Sequence, residues 1–275
     1  MLARTMKPLE RRFTMIYLDA PGMGGSRYED ADAPISDVAF VRDIDALRQH
    51  LGIKRLWLWA YARGSAAAVH FACQHPSACA GLILVGGDEK RDEESMFAVV
   101  EAITRRCGES WSYAEDDRKL HERWEGVLRH TTDEELTEAF LDLLRQECYD
   151  EKGVRKLRTA VRGLSLSTAG YDYGDGFRKW DTAGELRSLT IPTVVMVDVL
   201  DVSCPLEYAL RVHLAVRNSK FVVVDQAGGY PWIEQPDRFF EGLDRALDAL
   251  GVTGDPGSGR SGHRPDGDGE RGSDG

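Results

Sequence analysis

The sequence predicts an α/β fold, a mostly parallel sheet flanked by helices with a helical insert in its middle. Three observations lead there. Short apolar runs alternate with helical patterns from about residue 13 to residue 87, and the alternation resumes from about residue 190. Between the two stretches charged amphipathic helices take over, and no clear strand is legible. The apolar runs are continuous rather than alternating, as in strands buried on both faces.

Taken in order, Phe13–Leu18 reads as a strand, and the Gly/Pro-rich loop Asp19–Ser26 follows it. Val38, Val41, Ile44, Leu47 and Leu51 recur at helical spacing until Gly52 ends the helix. Arg55–Trp59 is the next strand, an Ala-rich helix runs from about Arg63 to Cys73, and Gly81–Gly86 is the third strand. Strand, helix and strand in that order imply parallel pairing with right-handed crossovers. Within the insert, Thr132 and Glu135 form a capping box ahead of Leu136, Phe140, Leu143 and Leu144. Ile191–Val197 resumes the sheet, and Pro205 opens a helix at a favourable first position. Phe221–Val224 is the last strand and Phe239–Leu250 the last helix. Residues 252–275 hold almost no apolar side chains and are expected to be disordered. The expected division is a first core part at 1–87, a helical cap at 88–189, a second core part at 190–251 and a tail at 252–275.

Composition narrows the function. With 35 Lys+Arg against 46 Asp+Glu the formal charge is −11, which opposes non-specific binding to nucleic acid or anionic membranes. No apolar run reaches the roughly 20 residues a bilayer span needs. The first residues lead into charge, so they do not read as a signal peptide. The five cysteines are scattered without Cys-x-x-Cys spacing, which suits reduced thiols in a cytoplasmic protein. No cofactor and no metal are expected.

Four segments in order resemble the proline-iminopeptidase-like branch of the α/β-hydrolase superfamily. Tyr17–Ser26 is similar to the family's D-x-R-G-x-G-x-S turn, and Ala60–Ser65 to its G-x-S-x-G-G nucleophile elbow. Ile191–Val195 with Asp201 and Pro205 is similar to the strand and loop that deliver the acid. Gln226–Pro236 is similar to the segment that delivers the histidine. The resemblance spans about residues 10–250 and implies an α/β-hydrolase fold with a helical cap. It also implies departures: the elbow glycine is Ala60, the serine is Ala62 and the histidine is Gly229, so Asp201 alone remains of the triad. The family's earlier strands have no counterpart here. Either translation starts upstream of Met1 or the sheet lacks an edge, and the first is favoured because missing strands would expose apolar edges.

Asp201 is the candidate acid or base, set against a plainer role as a helix-entry residue that accepts backbone N–H bonds. Asp198 adds a second carboxylate that would shift the pKa of the first if both face the pocket. Tyr61, Ala62, Arg63, Tyr171, Gly229 and Tyr230 are the candidate substrate contacts, and Arg63 suits a carboxylate or enolate. Ala62 and Gly229 are expected to widen the floor of the cavity. His70, His75 and His213 read as structural, Ser65 as a small residue for close packing, and Cys204 as lacking an adjacent base. A non-hydrolytic catalyst of the cyclase, isomerase or epimerase type follows, acting on a small-molecule or peptide intermediate in a capped pocket. Fold members without a triad act so in natural-product pathways. The alternatives are a ligand-binding or pseudoenzyme module and a weak serine hydrolase.

Overall fold

In the computed structural model, described over residues 2–19, 26, 37–92, 132–144, 147–164 and 180–253, four parallel strands form the central sheet. They are β1 (Leu56–Tyr61), β2 (Cys79–Val85), β5 (Thr193–Asp198) and β6 (Ser219–Val224), in that spatial order. Beyond the short α1 (Leu2–Thr5), the α-helices among the described residues are α2 (Asp37–His50), α3 (Gly64–Gln74), α4 (Asp133–Leu143), α5 (Glu151–Ala160), α6 (Ala183–Ser188), α7 (Leu206–Ala215), α8 (Pro231–Glu234) and α9 (Pro236–Ala249). A two-residue antiparallel ribbon, β3 (Lys90–Arg91) with β4 (Trp180–Asp181), joins the two ends of the insert. Such short strands carry no periodicity, which is why the sequence shows no strand there.

Successive side chains on a strand point to opposite faces, and that alternation builds two cores. Ile83, Val85, Val194 and Met196 pack with Phe239, Leu243 and Leu247 of α9 and with Leu157 of α5. On the other face Leu82, Leu84, Val195 and Val197 pack with Val41 of α2, Phe71 of α3 and Val212 of α7. Central strands buried on both sides explain the continuous apolar runs. The capping box forms as expected: the Thr132 N–H donates to Glu135 Oε2 at 3.1 Å, and the Glu135 N–H to Thr132 Oγ1 at 3.3 Å.

The expected strand at Phe13–Leu18 is corrected. Residues 14–19 join no ladder, and Ile16, Tyr17 and Leu18 are exposed. An apolar run becomes a strand only beside a partner, and among the described residues β1 is the sheet's edge. Tertiary contacts hold the segment instead. The Phe13 ring lies 5.9 Å from Trp57, and Arg12 pairs with Asp244 at 2.6 Å and Asp248 at 2.7 Å on α9. Tyr171, the loop at 20–25 and residues 254–275 lie outside the described residues. No described helix is long and apolar enough to cross a membrane.

Candidate active site at the carboxyl ends of the strands

In parallel α/β sheets ligands bind in the crevice outside the carboxyl ends of the strands. Here those ends bring together Tyr61, Ala62 and Arg63 after β1, Gly86 and Asp88 after β2, Asp198 and Asp201 at the end of β5, and Gly228–Tyr230 after β6.

Ala62 is the turn between β1 and α3. Its φ of 47° is left-handed, and its N–H donates to the Val85 carbonyl at 2.8 Å. The Ser65 N–H then donates back to the Ala62 carbonyl at 3.0 Å and starts the helix. A non-glycine residue in this region is strained, and strain of this kind marks a strand-to-helix elbow. Ser65 is buried, and a Cβ on Gly87 would collide with its side chain, in keeping with close packing.

Asp201 uses its two oxygens differently. Oδ1 accepts the N–H groups of Ser203 and Cys204, both at 2.8 Å. Oδ2 lies where a Cβ on Gly86 would sit only 2.7 Å away, and Gly86 itself has φ +57°. Glycine is required there on both counts. Burial pushes the Asp201 carboxyl up to about 8; the Cys204 and Ser203 N–H groups and Arg91 oppose the rise, and Glu147 adds to it. Asp198, the last residue of β5, is buried as well. Burial is also the main cause that raises the Tyr61 phenol well above its ordinary value, with Glu147, Asp201 and Asp198 adding to it. The Tyr61 ring lies 5.5 Å from Tyr230, whose hydroxyl donates to Glu147 Oε2 at 2.8 Å.

On the other flank a basic pair meets one indole. The guanidinium carbons of Arg63 and Arg91 lie 5.1 and 5.2 Å from the centre of the Trp180 ring. Asp88 holds Arg91 at 2.7 Å, and Arg91 donates to the Ser203 carbonyl at 2.9 Å. Cys204 is buried, and burial raises its thiol well above its ordinary value, so it is no thiolate nucleophile. His70 faces Glu185 at 2.8 Å, and His213 faces Ser219 at 2.7 Å, both away from this crevice.

The widened floor expected at Gly229 is corrected. A Cβ there would stand 2.9 Å from the Glu147 carbonyl oxygen, and one on Gly228 would stand 2.7 Å from the Cys148 carbonyl carbon and the Tyr149 nitrogen. The two glycines admit the backbone of the insert, not empty volume. Gly229→His is therefore expected to lower stability by about 1–3 kcal/mol through overpacking, measured as a lower urea midpoint.

Glu147 and Glu234 were not singled out from the sequence. Glu234 stands in the histidine-delivering segment, yet its side chain reaches back to backbone N–H groups, including Gly228 at 2.9 Å. Nothing in the spacing joins Glu147 to Tyr230, because 83 residues separate them.

A family model described as alpha/beta hydrolase fold matches residues 2–130. The chain is 24% identical over 249 residues to a probable proline iminopeptidase of Leptolyngbya boryana, covering 79% of this chain and 73% of that one. It is 28% identical over 175 residues to a 2-succinyl-6-hydroxy-2,4-cyclohexadiene-1-carboxylate synthase of Salmonella newport, covering 60% of each. An alpha/beta fold family hydrolase from Bacillus anthracis superposes with a TM-score of 0.65 at 15% identity, covering 83% of this chain and 80% of that one. Together with the parallel sheet and the crevice at its carboxyl ends, these likenesses make the chain a protein of the α/β-hydrolase fold.

Proposed function

We propose that this chain is a non-hydrolytic catalyst of the cyclase, isomerase or epimerase type, acting on a small-molecule or peptide intermediate held in the strand-end crevice. The observation that carries this is Ala62 at the elbow turn, where a methyl group offers no attacking atom, beside a buried carboxyl at Asp201. The sequence resemblance sets Gly229 where the family carries its histidine, and a Cβ there would stand 2.9 Å from the Glu147 carbonyl oxygen. Loss of a nucleophile typically costs about a million-fold in turnover, which leaves binding and proton transfer as the crevice's chemistry.

Asp201 suits that chemistry. A carboxyl whose pKa is raised to about 8 is a stronger base once ionised than an ordinary aspartate, and near neutrality it also holds a proton to return. In an isomerisation the Asp201 carboxylate takes a proton from carbon next to a carbonyl. The electron pair moves to the carbonyl oxygen as an enolate, and the proton returns to carbon when the carbonyl reforms. Arg63 would stabilise the enolate charge. The relative named as a synthase supports a non-hydrolytic role on this fold.

The test is deuterium exchange at acidic carbons of acyl peptides and β-dicarbonyl compounds in D2O, followed by mass. Exchange is expected to rise with pH through about 8 and to disappear in Asp201→Asn. A fluorophosphonate probe is expected to leave the protein unlabelled. Covalent labelling would sink the proposal and restore the hydrolase.

A further inference from the structure

Helix α7 carries an outer ridge exposed among the described residues. Leu206, Leu210 and Leu214 fall four residues apart, along one ridge of the helix, and are 39%, 37% and 74% exposed. The inner face of the same helix, Ala209 and Val212, is buried against the sheet. Single exposed leucines are common on proteins, but three in register are not. The patch extends onto the sheet. His213 stacks on Phe221 at 5.3 Å, so α7 lies along β6. Val223, two residues on and on the same strand face, is 45% exposed on an edge strand. Beside the ridge stand Glu207 and Arg211, one turn apart on one flank, with Arg211 resting 5.0 Å over the Tyr208 ring.

We propose that this ridge is the contact between two copies of the chain, related by a twofold axis beside Leu210 with the two α7 helices antiparallel. The charge pattern selects this occupant. A twofold perpendicular to the helices sets Leu210 on Leu210 and Leu206 near Leu214 of the other copy. It also sets each flank against itself with its direction reversed. The flank reads negative then positive, so Glu207 of each copy faces Arg211 of the other. Parallel helices about a twofold would set this flank against the opposite one, which carries Ala209 and His213, and the two pairs would not form. The chain's own last segment does not fit, because residues 254–275 contain no large apolar side chain. At a formal charge of −11 two copies repel at long range, so the leucine ridge and the two ion pairs must carry the contact.

The test is analytical ultracentrifugation of the full chain from about 1 to about 100 μM, a range suited to a modest interface. A concentration-dependent dimer is expected, and Leu210→Glu should leave only monomer, with the thermal midpoint the wild type has at about 1 μM. Glu207→Arg and Arg211→Glu should each weaken the dimer about tenfold, since both rim pairs turn repulsive. The double variant Glu207→Arg/Arg211→Glu should restore it. Three results would each overturn the proposal: monomer throughout, a dimer indifferent to Leu210→Glu, or a double variant no tighter than either single.

Discussion

Asp201→Asn is expected to make the protein more stable at pH 8 while changing little at pH 4. Asp201 is 7% exposed, and its carboxyl is closed in by Gly86 and by the turn that leads into α7. Burial raises its pKa to about 8, whereas an unfolded aspartate titrates near 3.9. Between about pH 4 and pH 8 the folded chain therefore holds a proton that the unfolded chain has released. The contribution to stability is complete below about pH 4 and is lost as pH rises through about 8. The loss runs at about 1.4 kcal/mol per pH unit for one proton. Asparagine keeps the oxygen that accepts the Ser203 and Cys204 N–H groups and cannot ionise. The wild-type slope should vanish in the variant, leaving it ahead by on the order of a few kcal/mol at pH 8. Urea midpoints at pH 4, 6 and 8 measure this, and equal slopes in the two proteins would assign the shifted proton to another group. A carboxylate that costs stability at the pH where it would act as a base is the usual bargain of a functional site.

The frame of the fold was legible because its signals are local or periodic. The strands at β1, β2, β5 and β6 and the helices between them follow from apolar runs, caps and breakers. The two cores follow from the alternation of Leu82 and Leu84 against Ile83 and Val85. The failures have physical causes. Phe13–Leu18 has the composition of a strand, but pairing is a property of the neighbour and not of the segment. The β3–β4 ribbon is set by contacts between residues about 90 apart, with the Thr182 N–H donating to the Glu89 carbonyl at 2.8 Å. The site was half legible. A resemblance places Ala62, Asp201 and Gly229 at strand ends, yet it cannot show what fills the space beside Gly229. That depends on Glu147, which reaches Tyr230 and Tyr61 only after the insert folds over the sheet. Sequence leaves Asp201 between two roles because it does not separate the two oxygens of one carboxylate. The fold gives Oδ1 to the backbone and sets Oδ2 against Gly86.

Glu234→Ala should be among the most damaging truncations of a polar side chain, although it removes no group from the proposed chemistry. The Glu234 carboxylate is buried and collects three backbone donors from two separate segments. Oε1 accepts Gly228 at 2.9 Å and Tyr230 at 3.3 Å, and Oε2 accepts Tyr149 at 2.6 Å. A Cβ on Gly153 would meet the same oxygen at 2.6 Å, so α5 is pressed against it. Removing the carboxylate leaves three N–H groups facing a void, and each buried orphan costs about 1–3 kcal/mol. A loss of about 3–5 kcal/mol follows, or a fall in the thermal midpoint of roughly 10 °C for a chain of this size. Glu234→Gln keeps one carbonyl acceptor but turns an amide N–H toward a donor, so it should fall between the wild type and alanine. Asp225→Ala, an exposed acid on the same side of the loop, should stay within about 0.5 kcal/mol of wild type. The graded order separates a buried hydrogen-bond clamp from a merely acidic position. If glutamine and alanine cost the same, charge alone holds the insert to the sheet. If neither costs more than Asp225→Ala, the glycine pair and the aromatic contacts of Tyr230 and Trp232 suffice to seat it. The clamp reaches the crevice because Tyr230 is one of the residues it fixes, and Tyr230 holds Glu147 near Asp201. Loosening Glu234 should therefore withdraw one of the charges that raise the Asp201 carboxyl and shift the alkaline limb of the stability profile downward.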